Sequence, residues 1–198
     1  MLKREFVKNN LVPGKLYRRS DLEQFSTSVD RHLSQLVKEG ALKKVGPGLY
    51  LHPEKGVWGE KVAEDKKLIE AFLKDDRFLI VSFNSYNALG LGTTQLYNQI
   101  IVYNHKRHSE YKLGYKTFDF RIKPSFPLEF TKESLLVDML NNLSELAEDT
   151  EKVLLILEKK LSNFDSLSLE NAVKLYGKIR TKKLYKKLFT VQHNITSR

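Results

Sequence analysis

The 198-residue chain has no cysteine. A disulfide framework and a thiolate metal site are therefore excluded, and a reducing compartment fits. No apolar run approaches the roughly 20 residues of a membrane-spanning helix. The first ten residues, MLKREFVKNN, lack the apolar core of a secretory signal. A soluble, cytoplasmic protein without a membrane partner is the expectation. Tryptophan occurs once, at Trp58, which is expected to pack between two halves of the chain. Acidic residues are absent from residues 171–198, which hold eight Lys/Arg. Residues 1–55 carry a balance of +5 and residues 56–170 one of −3, so the net charge of +10 is confined to the two ends. A generally solubilising surface would not need such a partition, although a basic C-terminal tail is common on its own.

Catalytic patterns are missing as well. There is no HExxH, no phosphate-cradling Walker loop and no nucleophile elbow. Gly90-Leu91-Gly92 lacks the third glycine of a dinucleotide fingerprint and reads as a helix-ending turn. His105 and His108 are three apart but crowded by Lys106 and Arg107, which suits a solvated loop better than a metal site. Asp75, Asp76, Asp119 and Glu129 form no recognisable acid–base pair. The expectation is no enzyme, no cofactor and no metal. A nucleic-acid-processing enzyme using residues of the 105–119 region is the remaining catalytic reading.

What is present begins at Ser26. From Ser28 to Glu39, at about 100° per residue, Val29, Leu33, Leu36 and Val37 share one stripe. Arg31, Gln35 and Lys38 fall opposite, flanked by Ser28 and Ser34, with His32 at the border. Gly40 stands where a helix commonly ends in a left-handed residue. Upstream, Ser20-Asp21-Leu22-Glu23 has the spacing of a capping box, opening a shorter helix to about Phe25, with Ser26-Thr27-Ser28 as the turn between the two. Downstream, Ala41–Val45 and Leu49–His52 can pair across Gly46-Pro47-Gly48, a tip whose glycines permit a tight reversal. Lys43 and Lys44 flank that tip. Helix, turn, helix and basic hairpin in this order predict a winged helix-turn-helix over residues 1–55. Ser28, Arg31, His32 and Gln35 are the expected base-reading residues, since arginine suits guanine, glutamine adenine and serine either. Arg18, Arg19, Lys38, Lys43 and Lys44 are the expected phosphate contacts.

The rest reads as a second, α+β domain over residues 60–198, after a boundary at Pro53–Gly59. It holds a helix from about Glu60 to Lys74 with Val62 available for burial, a strand from Arg77 to Phe83, and a helix from about Asn84 to Leu89. Strands follow at Leu96–Tyr103, Glu110–Leu113 and Lys116–Ile122, the last two joined by a Gly114-Tyr115 hairpin. Helices from Thr131, over Thr150–Leu161 and over Ser168–Ile179 complete the chain, with a break near Arg180-Thr181 and a short final helix. Lys178, Arg180, Lys182, Lys183, Lys186 and Lys187 make an accessory basic surface. It can serve phosphate contact, an acidic partner or solubility.

Three stretches carry a family resemblance covering nearly the whole chain: the wing ending in Gly48-Leu49-Tyr50, the segment Ser85-Tyr86-Asn87-Ala88-Leu89-Gly90-Leu91-Gly92-Thr93-Thr94-Gln95, and Leu175-Tyr176-Gly177-Lys178-Ile179-Arg180-Thr181. The sequence resembles the AbiEi-type antitoxins, regulators of type IV toxin–antitoxin (abortive infection) systems. Many relatives carry an arginine before the Gly-Leu-Tyr, where this chain has Pro47. The resemblance implies a transcriptional repressor that binds inverted repeats of double-stranded DNA in its own promoter. It also implies an antitoxin acting with a nucleotidyltransferase-like toxin. The competing expectation is a protein-interaction module in which the winged helix is only a scaffold and the C-terminal region binds a partner protein.

Overall fold

The computed structural model describes residues 8–24, 28–57 and 59–196, with side chains to Leu188. The sequence also suggests a leading helix from about Leu2 to Asn9, but most of it, with Phe25, the Ser26-Thr27 turn and Trp58, lies outside the described residues. The fold is mixed α+β, with helices and several small sheets. It divides into two compact units, residues 1–78 with 106–120 and residues 79–105 with 121–198. The expected boundary at Pro53–Gly59 lies inside the first.

In the first unit, strand β1 (Leu16–Arg18) leads into helix α1 (Arg19–Glu23), then helix α2 (Val29–Lys38), strand β2 (Lys43–Gly46) and strand β3 (Leu49–Leu51). The three strands form an antiparallel sheet in the order β1-β3-β2, with Tyr17 opposite Tyr50 and Lys44 opposite Tyr50 on the other side. A bulge between Lys44 and Gly46 tightens the β2–β3 hairpin, and Gly48 takes the left-handed conformation its turn requires (φ +64°). The apolar stripe of α2 is confirmed: Val29, Leu33 and Leu36 are buried against Tyr17, Leu22 and Leu42, with Val37 half-buried beside them. Gly40, at φ +73°, ends the helix as its position suggested.

The capping box differs from expectation. Helix α1 begins two residues early, at Arg19, and Asp21 Oδ2 accepts the Arg18 backbone N–H at 2.9 Å. Ser20 is thus inside the helix rather than its cap. A two-residue pair, β4 (Lys55–Gly56) and β5 (Gly59–Glu60), precedes helix α3 (Asp65–Leu73). Helix α3 starts five residues later than expected, and Val62 is 68% exposed rather than buried.

The first unit recovers a later piece of chain, the hairpin made by strand β8 (Ser109–Leu113) and strand β9 (Lys116–Ile122, whose last two residues belong to the second unit), turning at Gly114-Tyr115 as expected. The Gly114 backbone N–H donates to Val45 O at 2.6 Å. Gly46 sits so close that a β-carbon there would lie 2.7 Å from Leu113 Cδ2. Phe72, Tyr111 and Phe120 form an aromatic cluster beneath, with Phe72 and Tyr111 ring centroids 4.9 Å apart.

In the second unit, strand β6 (Leu79–Val81) pairs antiparallel with strand β7 (Ile100–Asn104), and residues Phe83–Leu89 form a 3₁₀ turn closed by left-handed Gly90. Helices α4 (Lys132–Asn141), α5 (Thr150–Lys160), α6 (Ser166–Tyr176) and α7 (Ile179–Thr196) follow. Thr131 caps α4, accepting the Ser134 N–H at 3.1 Å. Most of α4 is buried, including Leu136, Val137, Met139 and Leu140, so this helix lies at the centre of the unit's core. The break before α7 falls at Gly177-Lys178, earlier than expected, and α7 runs 18 residues instead of forming a short end. Asn141 fixes that corner. Its Nδ2 donates to Tyr176 O at 2.9 Å, and its Oδ1 accepts from Lys178 N and Thr181 Oγ1, each at 2.8 Å. Ile179, expected to end the preceding helix, instead opens α7 and is 77% exposed.

Candidate nucleic-acid interface

Helix α2 and the β2–β3 hairpin hold the residues singled out by the sequence, and the structure sorts them. Ser28, Arg31 and Lys38 are exposed on the outer side of α2, whereas His32 and Gln35 are half-buried. Among the described residues Arg31 has no carboxylate or hydrogen-bond partner, so its guanidinium is available to a ligand. Lys38 and Lys44 are exposed and likewise have no carboxylate partner among the described residues.

Arg18, Arg19 and Lys43 are engaged within the protein. Arg18 Nε donates to Ala71 O of α3 at 2.9 Å. Arg19 makes a two-pronged pair with Asp30, Nε to Oδ1 and Nη2 to Oδ2 each at 2.7 Å, and also bonds Glu23. This clamp ties α1 to the first turn of α2. The Arg19 donors hold the Asp30 carboxyl below the usual carboxylate range. Lys43 Nζ donates to Tyr115 Oη at 2.7 Å and to Glu60 Oε2 at 3.1 Å, and these two bonds raise its pKa. An ammonium or guanidinium so matched has less charge to offer a phosphate than Lys38 or Lys44 has. Asp30 in the first turn of α2 is the one acid on that helix, but no local pattern links it to Arg19 eleven residues earlier.

On α7, Arg180, Lys182, Lys183, Lys186 and Lys187 are exposed, and Thr181 and Leu188 are buried. The helix therefore gathers its cations on one side, opposite the buried Thr181 and Leu188. Lys178, at the corner, donates through Nζ to Asn141 O at 3.0 Å.

The second unit also contains a polar cluster that sequence reading missed. Asp138, 5% exposed, accepts from Tyr86 Oη at 2.7 Å and Tyr103 Oη at 3.2 Å through Oδ2, and from Lys123 Nζ at 3.1 Å through Oδ1. Asn142 Nδ2 donates to both tyrosine hydroxyls, at 3.0 and 2.9 Å. Burial, and then the Asp138 charge, push both phenols well above the ordinary tyrosine value, while burial lowers the pKa of Lys123. A lone acid among Leu136, Val137, Met139 and Leu140 was the available clue. His105 stacks on Phe126, with ring centroids 4.8 Å apart. Among the described residues no group of three His, Cys, Asp or Glu can hold a metal ion, and no helix is long and apolar enough to cross a membrane. Compared with known proteins, the chain matches no protein-family model and no curated protein.

Proposed function

We propose that the β1–α1–α2–β2–β3 segment is a winged helix-turn-helix that binds double-stranded DNA. The chain would then act as a transcriptional autorepressor, and the resemblance to AbiEi-type regulators extends this to the antitoxin of a type IV toxin–antitoxin system. The observation that carries the DNA reading is the β1-β3-β2 sheet packed with two short helices, with α2 turning outward an Arg31 that has no partner among the described residues. In this reading Arg31 and Ser28 reach base edges first, and His32 and Gln35 lie deeper. Lys38 and Lys44 supply phosphate contact, and Arg19 neutralises Asp30 at the reading surface. Repulsion between an unmatched Asp30 and the DNA backbone would otherwise oppose docking.

A mobility-shift titration on the protein's own upstream DNA against unrelated DNA of equal length, at low and near-physiological salt, tests this reading. Preference for the upstream DNA that survives at the higher salt supports it. Equal, weak binding lost on adding salt means that the basic ends attract any polyanion. The antitoxin half is tested separately, by co-expression with a nucleotidyltransferase-like toxin and scoring of growth rescue. A second reading, the winged helix as a protein-binding scaffold, draws on one feature: the edge of β2 is covered by the β8–β9 hairpin through Gly114 and Leu113. Negligible DNA affinity at low salt would favour it.

A further inference from the structure

Beside the β2–β3 hairpin the first unit contains a half-open cavity of about 560 Å³. Val45, Leu51, Val62 and Leu68 supply its apolar lining. Four lysines, Lys43, Lys44, Lys61 and Lys112, reach it against one carboxylate, Glu60. Two of the four are matched: Lys43 by Glu60 and Tyr115, and Lys61 by Glu54 at 2.7 Å. Lys44 and Lys112 have no carboxylate partner among the described residues. Uncompensated positive charge thus borders an apolar hollow whose volume suits a small organic ligand.

We propose that this cavity binds an amphipathic organic anion. Its apolar body would seat on Val45, Leu51 and Leu68, and a single carboxylate or similar acidic head would be held by Lys44 and Lys112. An inorganic anion would leave the apolar lining bare, and a neutral apolar compound would leave the two ammonium groups unmatched. The volume is too small for a protein helix of ordinary diameter and length. One consequence rests on the winged-helix reading: Lys44 cannot serve both the ligand head and a DNA phosphate, so ligand and DNA compete.

The test uses the whole chain and two fluorescent probes that share an anilinonaphthalene skeleton and differ by one sulfonate group, 8-anilinonaphthalene-1-sulfonate and the neutral N-phenyl-1-naphthylamine. The sulfonate is expected to bind at one site, about tenfold more tightly than the neutral probe, on the scale of one or two charge-assisted hydrogen bonds. The double variant K44Q/K112Q, altered only at exposed side chains, should erase that preference without changing the melting temperature. Ala63→Trp, which fills the cavity from its half-buried rim, should abolish binding of both probes. Equal affinity for the two probes, or sulfonate binding unaffected by K44Q/K112Q, overturns the proposal. Adding the sulfonate to the mobility-shift assay separates the two readings. Saturable probe binding by a protein that ignores DNA rejects the winged-helix reading and leaves the cavity standing. DNA binding by a protein with no probe site does the reverse.

Discussion

Arg19 illustrates how a residue's chemistry can suit one role while its neighbours assign another. Its sequence position beside a helix start favours phosphate contact, yet Asp30 and Glu23 occupy its donors. Nothing local announces that pairing, because Asp30 lies eleven residues on and reaches Arg19 only through tertiary structure. The pairing has a pH signature. The Asp30 carboxyl is held below its unfolded value of about 3.9, so as pH falls the unfolded chain takes up the proton first. Its stabilising contribution is present above that value and is lost as pH drops through the folded one. Arg19→Gln should therefore lose less stability than the wild type between pH 7 and pH 3, read as the shift in urea midpoint. Equal acid sensitivity would show that the clamp contributes nothing. Asp138 and Lys123 give a second, asymmetric case. Removing Asp138 strands a half-buried ammonium and leaves two buried phenols without their acceptor, and Asp138→Ala should cost about 3–5 kcal/mol. Lys123→Met should cost less, because Tyr86 and Tyr103 still donate to the remaining carboxylate. Denaturant unfolding of both variants, with the opposite order as the contradicting result, decides this.

At the level of elements, legibility followed the strength of local periodicity. Helix α2 was readable because its apolar stripe, its glycine end and its polar face all agree, and the β8–β9 hairpin because Gly114-Tyr115 marks the turn. Helix α3 was drawn too early because Val62 continued an apolar pattern that the chain does not use. The boundary between α6 and α7 was drawn too late for a different reason: it is set by Asn141, a distant residue that binds both sides of the corner. Gly177 completes that corner, where a β-carbon would lie 2.5 Å from Val173 O. Gly177→Ala should therefore destabilise the second unit by roughly 1–3 kcal/mol, the range for an overpacked site. An unchanged thermal midpoint would mean that the corner relaxes freely.

For the whole molecule, the least legible property was the return of residues 106–120 to the first unit, since chain continuity favours a boundary after the β2–β3 hairpin. A fragment ending at Gly56 would lack α3, which accepts from Arg18, and the hairpin that covers β2. Amides of Leu33 and Leu36 should consequently exchange faster in that fragment than in the intact chain, and equal protection would show that the first 56 residues stand alone. The charge partition also belongs to this scale, because it separates a neutral-to-acidic middle from two basic ends and makes polyanion attraction by itself uninformative. The most direct measurement is therefore one of discrimination. Affinity of Arg31→Ala for the upstream DNA and for unrelated DNA should be compared with that of the wild type at near-physiological salt. The account predicts a loss of about 1–3 kcal/mol on the upstream DNA, with preference relaxed at one base position and little change on unrelated DNA. Full affinity and undiminished preference in Arg31→Ala would contradict the assignment of α2 as the reading helix.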